Sequence, residues 1–282
     1  MAFLEVNGLE KHYSGFALRN VSFSLERGTI MGLIGRNGAG KTTLMKAMLN
    51  FISHDGGTVT LNGLSFYENE LALKPSIGFV SGGFSAYRTK RLSAITDVTR
   101  RFYPNWDETC YRTLLNRFEL DERKKVSELS QGMAVKYSLA LALSHRATLL
   151  VLDEPTSGLD PVSREDLLCL LGTLAVEQDV AILYSTHILS DLEKHADYIT
   201  YLKDGQVLLS DDCDRFKARF LLVSGERERL PENLPYLIGH RENAFGFTGL
   251  IHASDADAVK GLRTAPADME TIMIYWEQEK TA

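Results

Sequence analysis

Gly35-Arg36-Asn37-Gly38-Ala39-Gly40-Lys41-Thr42-Thr43 decides the fold of this 282-residue chain. Gly35, Gly38 and Gly40 admit backbone angles and close approaches that side chains would block. The run before it, Thr29-Ile30-Met31-Gly32-Leu33-Ile34, is apolar throughout, and the run after it, Lys41 to Leu49, favours a helix. A strand, a glycine turn and a helix N-terminus in that order aim successive N–H groups at one spot, where the helix end is positive. The sequence matches the pattern GxxxxGK[ST], a cradle for phosphates. Lys41 would reach the β- and γ-phosphates of a nucleotide, and the Thr42 hydroxyl would meet magnesium (Mg2+).

Two further apolar runs repeat the arrangement. Leu149-Leu150-Val151-Leu152 runs into Asp153-Glu154, followed by a predicted helix from about Ser163 to Gln178. Val180-Ala181-Ile182-Leu183-Tyr184-Ser185 runs toward His187 and a short helix. Strands too apolar to alternate, separated by helices, predict an α/β fold with a parallel sheet covered on both faces. Chemistry in such sheets collects at the carboxyl ends of the strands, where Gly35, Asp153 and His187 all fall. Asp153 is placed to hold magnesium through its water shell, and Glu154 to polarise an attacking water.

Around this core the pattern changes. Residues 1–28 and 57–64, the latter with an Asn62-Gly63 turn, read as short antiparallel strands. Residues 84–128 read as helical, and a further helix begins near Ser130, which can cap it; Gly132 leaves its first N–H groups accessible as a second anion site. Lys203-Asp204-Gly205 signals a turn. A tail follows in which FLLVSG and AFGFTGLIHA read as strands and Asp255–Leu262 and Ala267–Gln278 as helices. The expected domains are 1–210, with a helical part at about 84–145, and 211–282.

Composition narrows the function classes. The net charge of −6 and a sequence pI near 5.7 disfavour a protein built for non-specific nucleic-acid binding. Cys110, Cys169 and Cys213 form no CxxC pair and read as buried or inert thiols, without zinc or disulfides. The N-terminus has no basic-then-apolar signal pattern. The most apolar stretch, Tyr137 to Leu152, is broken by His145 and Arg146 well short of the ~20 residues that span a bilayer.

In chain order the motifs are the glycine loop, Leu129-Ser130-Gln131-Gly132-Met133, the Asp153-Glu154 strand, Ser157-Gly158-Leu159-Asp160 and Tyr184-Ser185-Thr186-His187. Over about residues 3–210 this order resembles the ATP-binding subunit of ABC transporters. The resemblance implies a P-loop NTPase with a RecA-like parallel core, an antiparallel β subdomain, a helical signature subdomain and a small α+β C-terminal extension. It implies that Gly35, Asn37, Gly38, Ala39, Gly40, Lys41, Thr42 and Thr43 hold ATP and that Tyr13 stacks on adenine. Thr42 and Asp153 would serve the metal, and Glu154 and His187, with Lys41, would be catalytic. Ser130 and Gly132 would bind the γ-phosphate of ATP held by a second ATP-binding subunit, identical or a paralogue. Two ATPs would then lie sandwiched in a head-to-tail dimer that closes on ATP and opens after hydrolysis.

Two residues depart from the family pattern. Gly82 stands after the strand Ile77–Val80 where the family has a glutamine, and the signature carries Gln131 and Met133. With no spanning segment of its own, such a subunit is expected at the cytoplasmic face of the membrane, powering a separate transmembrane permease. Residues 84–101, basic and aromatic, lie where the family docks that partner. The tail ending Asp268–Tyr275 resembles bacterial export-type subunits linked to drug, peptide or bacteriocin efflux. The competing expectation is a soluble ABC-type ATPase acting on ribosomes or DNA. One cassette, no long coiled coil and an acidic charge weigh against it.

Overall fold

The computed structural model describes residues 2–81, 87–230, 234–259 and 261–278. The chain divides into two compact units, one of Met1–His187 and Tyr198–Ser210, the other of Ile188–Asp197 and Asp211–Ala282.

The first unit begins with β1 (Leu4–His12), β2 (Ala17–Leu25) and the buried β3 (Ile30–Ile34), which leads through the glycine loop into α1 (Lys41–Met48). β4 (Gly56–Leu61) and β5 (Leu64–Ser65) complete an antiparallel sheet of order β2-β1-β4-β5. After α2 (Glu70–Leu73) come β6 (Ile77–Ser81), then α3 (Leu92–Thr99), α4 (Glu108–Arg117) and α5 (Gln131–Ser144). β7 (Leu149–Asp153), α6 (Pro161–Gln178), β8 (Ala181–Ser185), β9 (Tyr198–Lys203) and β10 (Gln206–Asp212) close the larger sheet, whose order is β10-β9-β3-β8-β7-β6. Its neighbours β9-β3-β8-β7-β6 all run parallel.

The unbroken apolar strands have a direct cause. Met31, Leu33, Leu149, Val151, Ala181 and Leu183 face one core, shared with Leu44, Met45 and Met48 of α1 and with Val6, Leu9 and Val59 of the antiparallel sheet. The alternating residues Ile30, Ile34, Leu150, Leu152 and Ile182 are buried too, and α6 packs against β3 and β8. Both faces are covered, so no position in these strands is left for a polar residue until the carboxyl edge.

In the second unit α7 (Leu189–His195), α8 (Cys213–Ala218), β11 (Phe220–Gly225), β12 (Leu237–Asn243), β13 (Gly246–His252), β14 (Arg263–Pro266) and α9 (Met269–Gln278) form an antiparallel sheet of order β12-β13-β11-β14 with helices. α9 packs on β12 and β13 and meets α7.

The tail departs from its expected pattern in two places. Asp255–Leu262 is not a helix: its described residues form a short 3-10 turn at Ala253–Asp255 and bends leading into β14. Gly261 at φ 67 helps to interrupt any helix there. β12 carries no strand signal in the sequence, because Gly239, His240, Arg241 and Glu242 break any apolar alternation. Cys110 is half-buried, Cys169 exposed on α6 and Cys213 buried, and all three are free.

Candidate active site

Four neighbouring strands end level. Ser81 pairs with Asp153, Asp153 with Ser185, and Ser185 with Leu33, one rank across β6, β7, β8 and β3. Parallel register thus brings the phosphate loop, the carboxylates and the His187 segment to one edge.

The loop between β3 and α1 is held from two sides. Gly40 caps α1 at φ 107, and no side chain caps the helix or places an acid in its first turn. A Cβ at Gly40 would lie 2.5 Å from Cζ of Phe16. The Ala39 amide donates to Arg36 O (3.0 Å), and Ala39 O accepts from the amide of Gly205 (3.1 Å). Gly205 itself, at φ 76 in the β9–β10 turn, has no room for a side chain: a Cβ would fall 1.8 Å from Ala17 O. Asn37 and Gly38 lie exposed at the loop tip, Gly35 and Thr43 are half-buried, and Ala39 is buried.

Lys41 is 6% exposed. Its ammonium donates to Gly35 O (2.7 Å) and stands 3.6 Å from Oε1 of Glu154. The other oxygen of Glu154, Oε2, is 2.8 Å from Nδ1 of His187. With Glu154 ionised, Nδ1–H is the donor, so the glutamate joins a buried lysine to a half-exposed histidine.

Asp153, 8% exposed, meets different partners. The Thr42 hydroxyl donates to its Oδ2 (2.6 Å) and the Ser185 hydroxyl to its Oδ1 (2.7 Å). Ser185 Oγ also accepts from the Glu154 amide (3.0 Å). Glu154 sits at φ 52, the left-handed region that costs an ordinary residue of order 1 kcal/mol. That turn gives adjacent carboxylates separate partners, and Ser185 fastens both. The Thr42 hydroxyl and the Asp153 carboxylate converge as hard oxygen donors beside the α1 N-terminus, the donor set a magnesium ion takes.

Among the described residues Ser130, Gly132 and Tyr13 make no hydrogen bond to Lys41, Asp153 or Glu154. Ser130 caps α5, its Oγ accepting from the Met133 amide (3.2 Å). The side-chain amide of Gln131 instead fills the space beside Gly158, where a Cβ would fall 2.3 Å from its Oε1. Tyr13 is 50% exposed, with the Lys11 ammonium 5.5 Å from its ring centre. Its amide donates to Phe16 O (2.8 Å), which ties it to the residue packed on Gly40. Gly82 lies outside the described residues, as do 84–86 of the expected docking segment. Ser185, Phe16 and Gly205 escaped the sequence. The available signal for Ser185 was its place at a strand end in line with Asp153.

A glycine loop between strand and helix, a strand-end aspartate on its threonine and a glutamate against its lysine define a P-loop nucleotide hydrolase. Residues 18–157 match the ABC transporter family. The ABC transporter ATP-binding protein YtrB of Bacillus subtilis (strain 168) is 35% identical over 221 residues, 78% of this chain and 75% of that protein. The bacitracin transport ATP-binding protein BcrA of Bacillus licheniformis is 31% identical over 221 residues, 77% of this chain and 72% of the relative. A solved ATP-binding subunit of an ABC transporter superposes with a TM-score of 0.69 at 26% identity, covering 76% of this chain and 92% of the other. The chain belongs to the ABC transporter family: it is an ATP-binding subunit and an ATPase. Among the described residues no helix is long and apolar enough to cross a membrane.

Proposed function

We propose that this subunit sits at the cytoplasmic face of a membrane, hydrolyses ATP as half of a head-to-tail dimer and drives a separate permease that exports its substrate. The Glu154 carboxylate, shared between Lys41 and His187, is the observation that carries the chemistry. In this reading the amides of residues 35–43 and the Lys41 ammonium neutralise the β- and γ-phosphates, and Tyr13 stacks on adenine. Thr42 and Asp153 hold Mg2+, which supplies charge neutralisation to the phosphates when bound. Glu154 accepts a proton from the attacking water as its oxygen bonds to the γ-phosphorus. The bond from that phosphorus to the bridging oxygen breaks, and its electron pair leaves with ADP. His187 holds Glu154 in place. Ser130 and Gly132, which make no hydrogen bond to this cluster, serve the nucleotide of the second subunit.

The domain reading accompanies it: residues 1–210 as the ATPase, 211–282 as an accessory domain. For docking, Tyr87, Lys90, Ala94, Ile95, Val98, Thr99, Phe102 and Tyr103 line an apolar hollow of about 540 Å³ on the helical part. Tyr87, Val98 and Phe102 are more than half exposed there, a surface suited to an apolar element of a permease. Export is favoured by the relatives named for bacitracin transport.

The test is Glu154→Gln, which keeps the shape of the side chain but removes the base. ATP should hold that variant as a dimer in light scattering. A chain that stays monomeric with ATP and its membrane partner present defeats the sandwich. In vesicles carrying the complex, ATP-dependent movement of substrate toward the ATP side would defeat export.

A further inference from the structure

β1 outlasts the strand beside it. Its last residue paired with β4 is Glu10, opposite Gly56, whereas Lys11 and His12 run on beside Leu18 and Ala17 of β2. Asp55, the residue before β4 begins, supplies the missing edge. Its amide donates to Glu10 O (2.8 Å), and its Oδ2 accepts from the His12 amide (2.6 Å). A carboxylate thus takes the place of the carbonyl that a longer β4 would have offered. Close approach of the two strands brings it there: Gly57 is at φ 88, and a Cβ on it would fall 2.4 Å from Gly8 O.

The other oxygen of Asp55 accepts from the Lys11 ammonium (3.2 Å), which also donates to Ser53 Oγ (3.3 Å). That ammonium stands 5.5 Å from the centre of the Tyr13 ring. The Asp55 side chain is 38% exposed, so its ion pair adds little to folding. Its effect is one of direction. A short, charge-assisted bond fixes the amide of the residue just before Tyr13. The His12 amide, then the Lys11 ammonium, hold the Asp55 carboxyl below its ordinary pKa, so it remains an acceptor at neutral pH. On the other side the Tyr13 amide donates to Phe16 O (2.8 Å), while Tyr13 itself stays half exposed.

We propose that Asp55 is a positioning residue for the nucleotide base. By completing the β1 edge at His12 and Lys11, it fixes the Tyr13 ring where adenine is to lie. This rests on the reading of Tyr13 as the adenine platform. Stacking depends on the place and plane of the ring, and a ring on a loose strand end must be ordered by the base at a cost in affinity. A tether that orders it beforehand raises affinity without touching the base.

Equilibrium binding of ATP to the full chain, measured by calorimetry, tests the tether. Tyr13→Ala should weaken binding about tenfold, the loss of one stacked base. Asp55→Ala should weaken it about fivefold where Tyr13 is present, but by less than about twofold in a chain already carrying Tyr13→Ala, because no ring is left to position. Asp55→Asn, whose side-chain oxygen still accepts from the His12 amide, should bind within about twofold of the wild type. The Tm of Asp55→Ala should stay within about 4 °C of the wild type, as for loss of an exposed ion pair. Equal losses from Asp55→Ala in both backgrounds, an asparagine variant as weak as the alanine one, or a larger fall in Tm overturns the proposal. If Tyr13→Ala leaves binding unchanged, the adenine platform fails and the proposal with it. If Tyr13→Ala weakens binding and Asp55→Ala does not, the platform stands and the proposal alone fails.

Discussion

The Thr42 hydroxyl donates a 2.6 Å hydrogen bond to Oδ2 of Asp153, a residue 111 positions further along the chain, while Ser185 holds Oδ1 from the next strand. Two hydroxyls on either side fix the plane of one carboxylate, and the same Ser185 oxygen receives the Glu154 amide. If Asp153 holds magnesium as proposed, Ser185→Ala should weaken magnesium-dependent ATP hydrolysis about 10- to 100-fold, the usual penalty for losing a group that orients a metal ligand. Activity titrated against magnesium measures it. Thr42→Ser should retain function and Thr42→Val should not.

Lys41→Ala should abolish measurable ATP hydrolysis and lower nucleotide affinity at least about tenfold, because one buried point charge is lost from the phosphate cradle. Fluorescent-nucleotide titration and phosphate release read the two effects. Turnover at the wild-type rate would remove the loop from the reaction.

Gly40→Ala places a methyl group against Phe16 at a φ of 107. The strained backbone should cost roughly 1–3 kcal/mol, seen as a lower Tm in calorimetry. Pairing it with Phe16→Leu should return the part due to overlap and leave the part due to the dihedral. A full return would mean that the backbone is unstrained.

His145 gives the chain a pH limit. Burial is the larger cause pressing its pKa below the ordinary 6.5; Nδ1 lies 3.0 Å from Pro75 O, and the ring stacks on Tyr103 at 3.9 Å. The unfolded chain takes up the proton first as pH falls. Stability from this site is complete above about pH 6.5 and declines between there and the depressed folded value. The Tm measured from pH 7.5 to 5 should drop less in His145→Gln than in the wild type. Parallel slopes would exonerate the histidine.

Val98→Arg should prevent co-purification of a membrane subunit with this chain, since a guanidinium in the hollow must be desolvated without a counter-charge. Arg117→Ala on the same helical part serves as a control. Recovery of the same membrane subunit with Val98→Arg would move the docking surface elsewhere.

The parallel core and its edge were legible because they follow from local chemistry. Leu149–Leu152 has no polar residue, so it must be buried on both faces, and the first residue that breaks the run, Asp153, must emerge at the edge. Ser185 was illegible because its role is a matter of register: only the pairing of Asp153 with Ser185 shows that one hydroxyl serves two carboxylate residues. Phe16 and Gly205 act through distant contacts that no periodicity encodes. The tail is less legible. β12 carries His240, Arg241 and Glu242 on a sheet with one wet side, and the apparent helix at Asp255–Leu262 was a short apolar pattern without length to support it.

The hydrogen bond from the Gly205 amide to Ala39 O bears on the order in which the protein comes to life. A nascent chain that has emerged only as far as His187 already carries every lysine, aspartate and glutamate of the site. It still lacks β9, the second neighbour of β3, and the turn that clamps the loop at Ala39. The nucleotide cradle is therefore finished late, by a glycine some 160 residues downstream of the sequence that encodes it, and translation arrested just before that turn should yield a chain with the motif but without the grip.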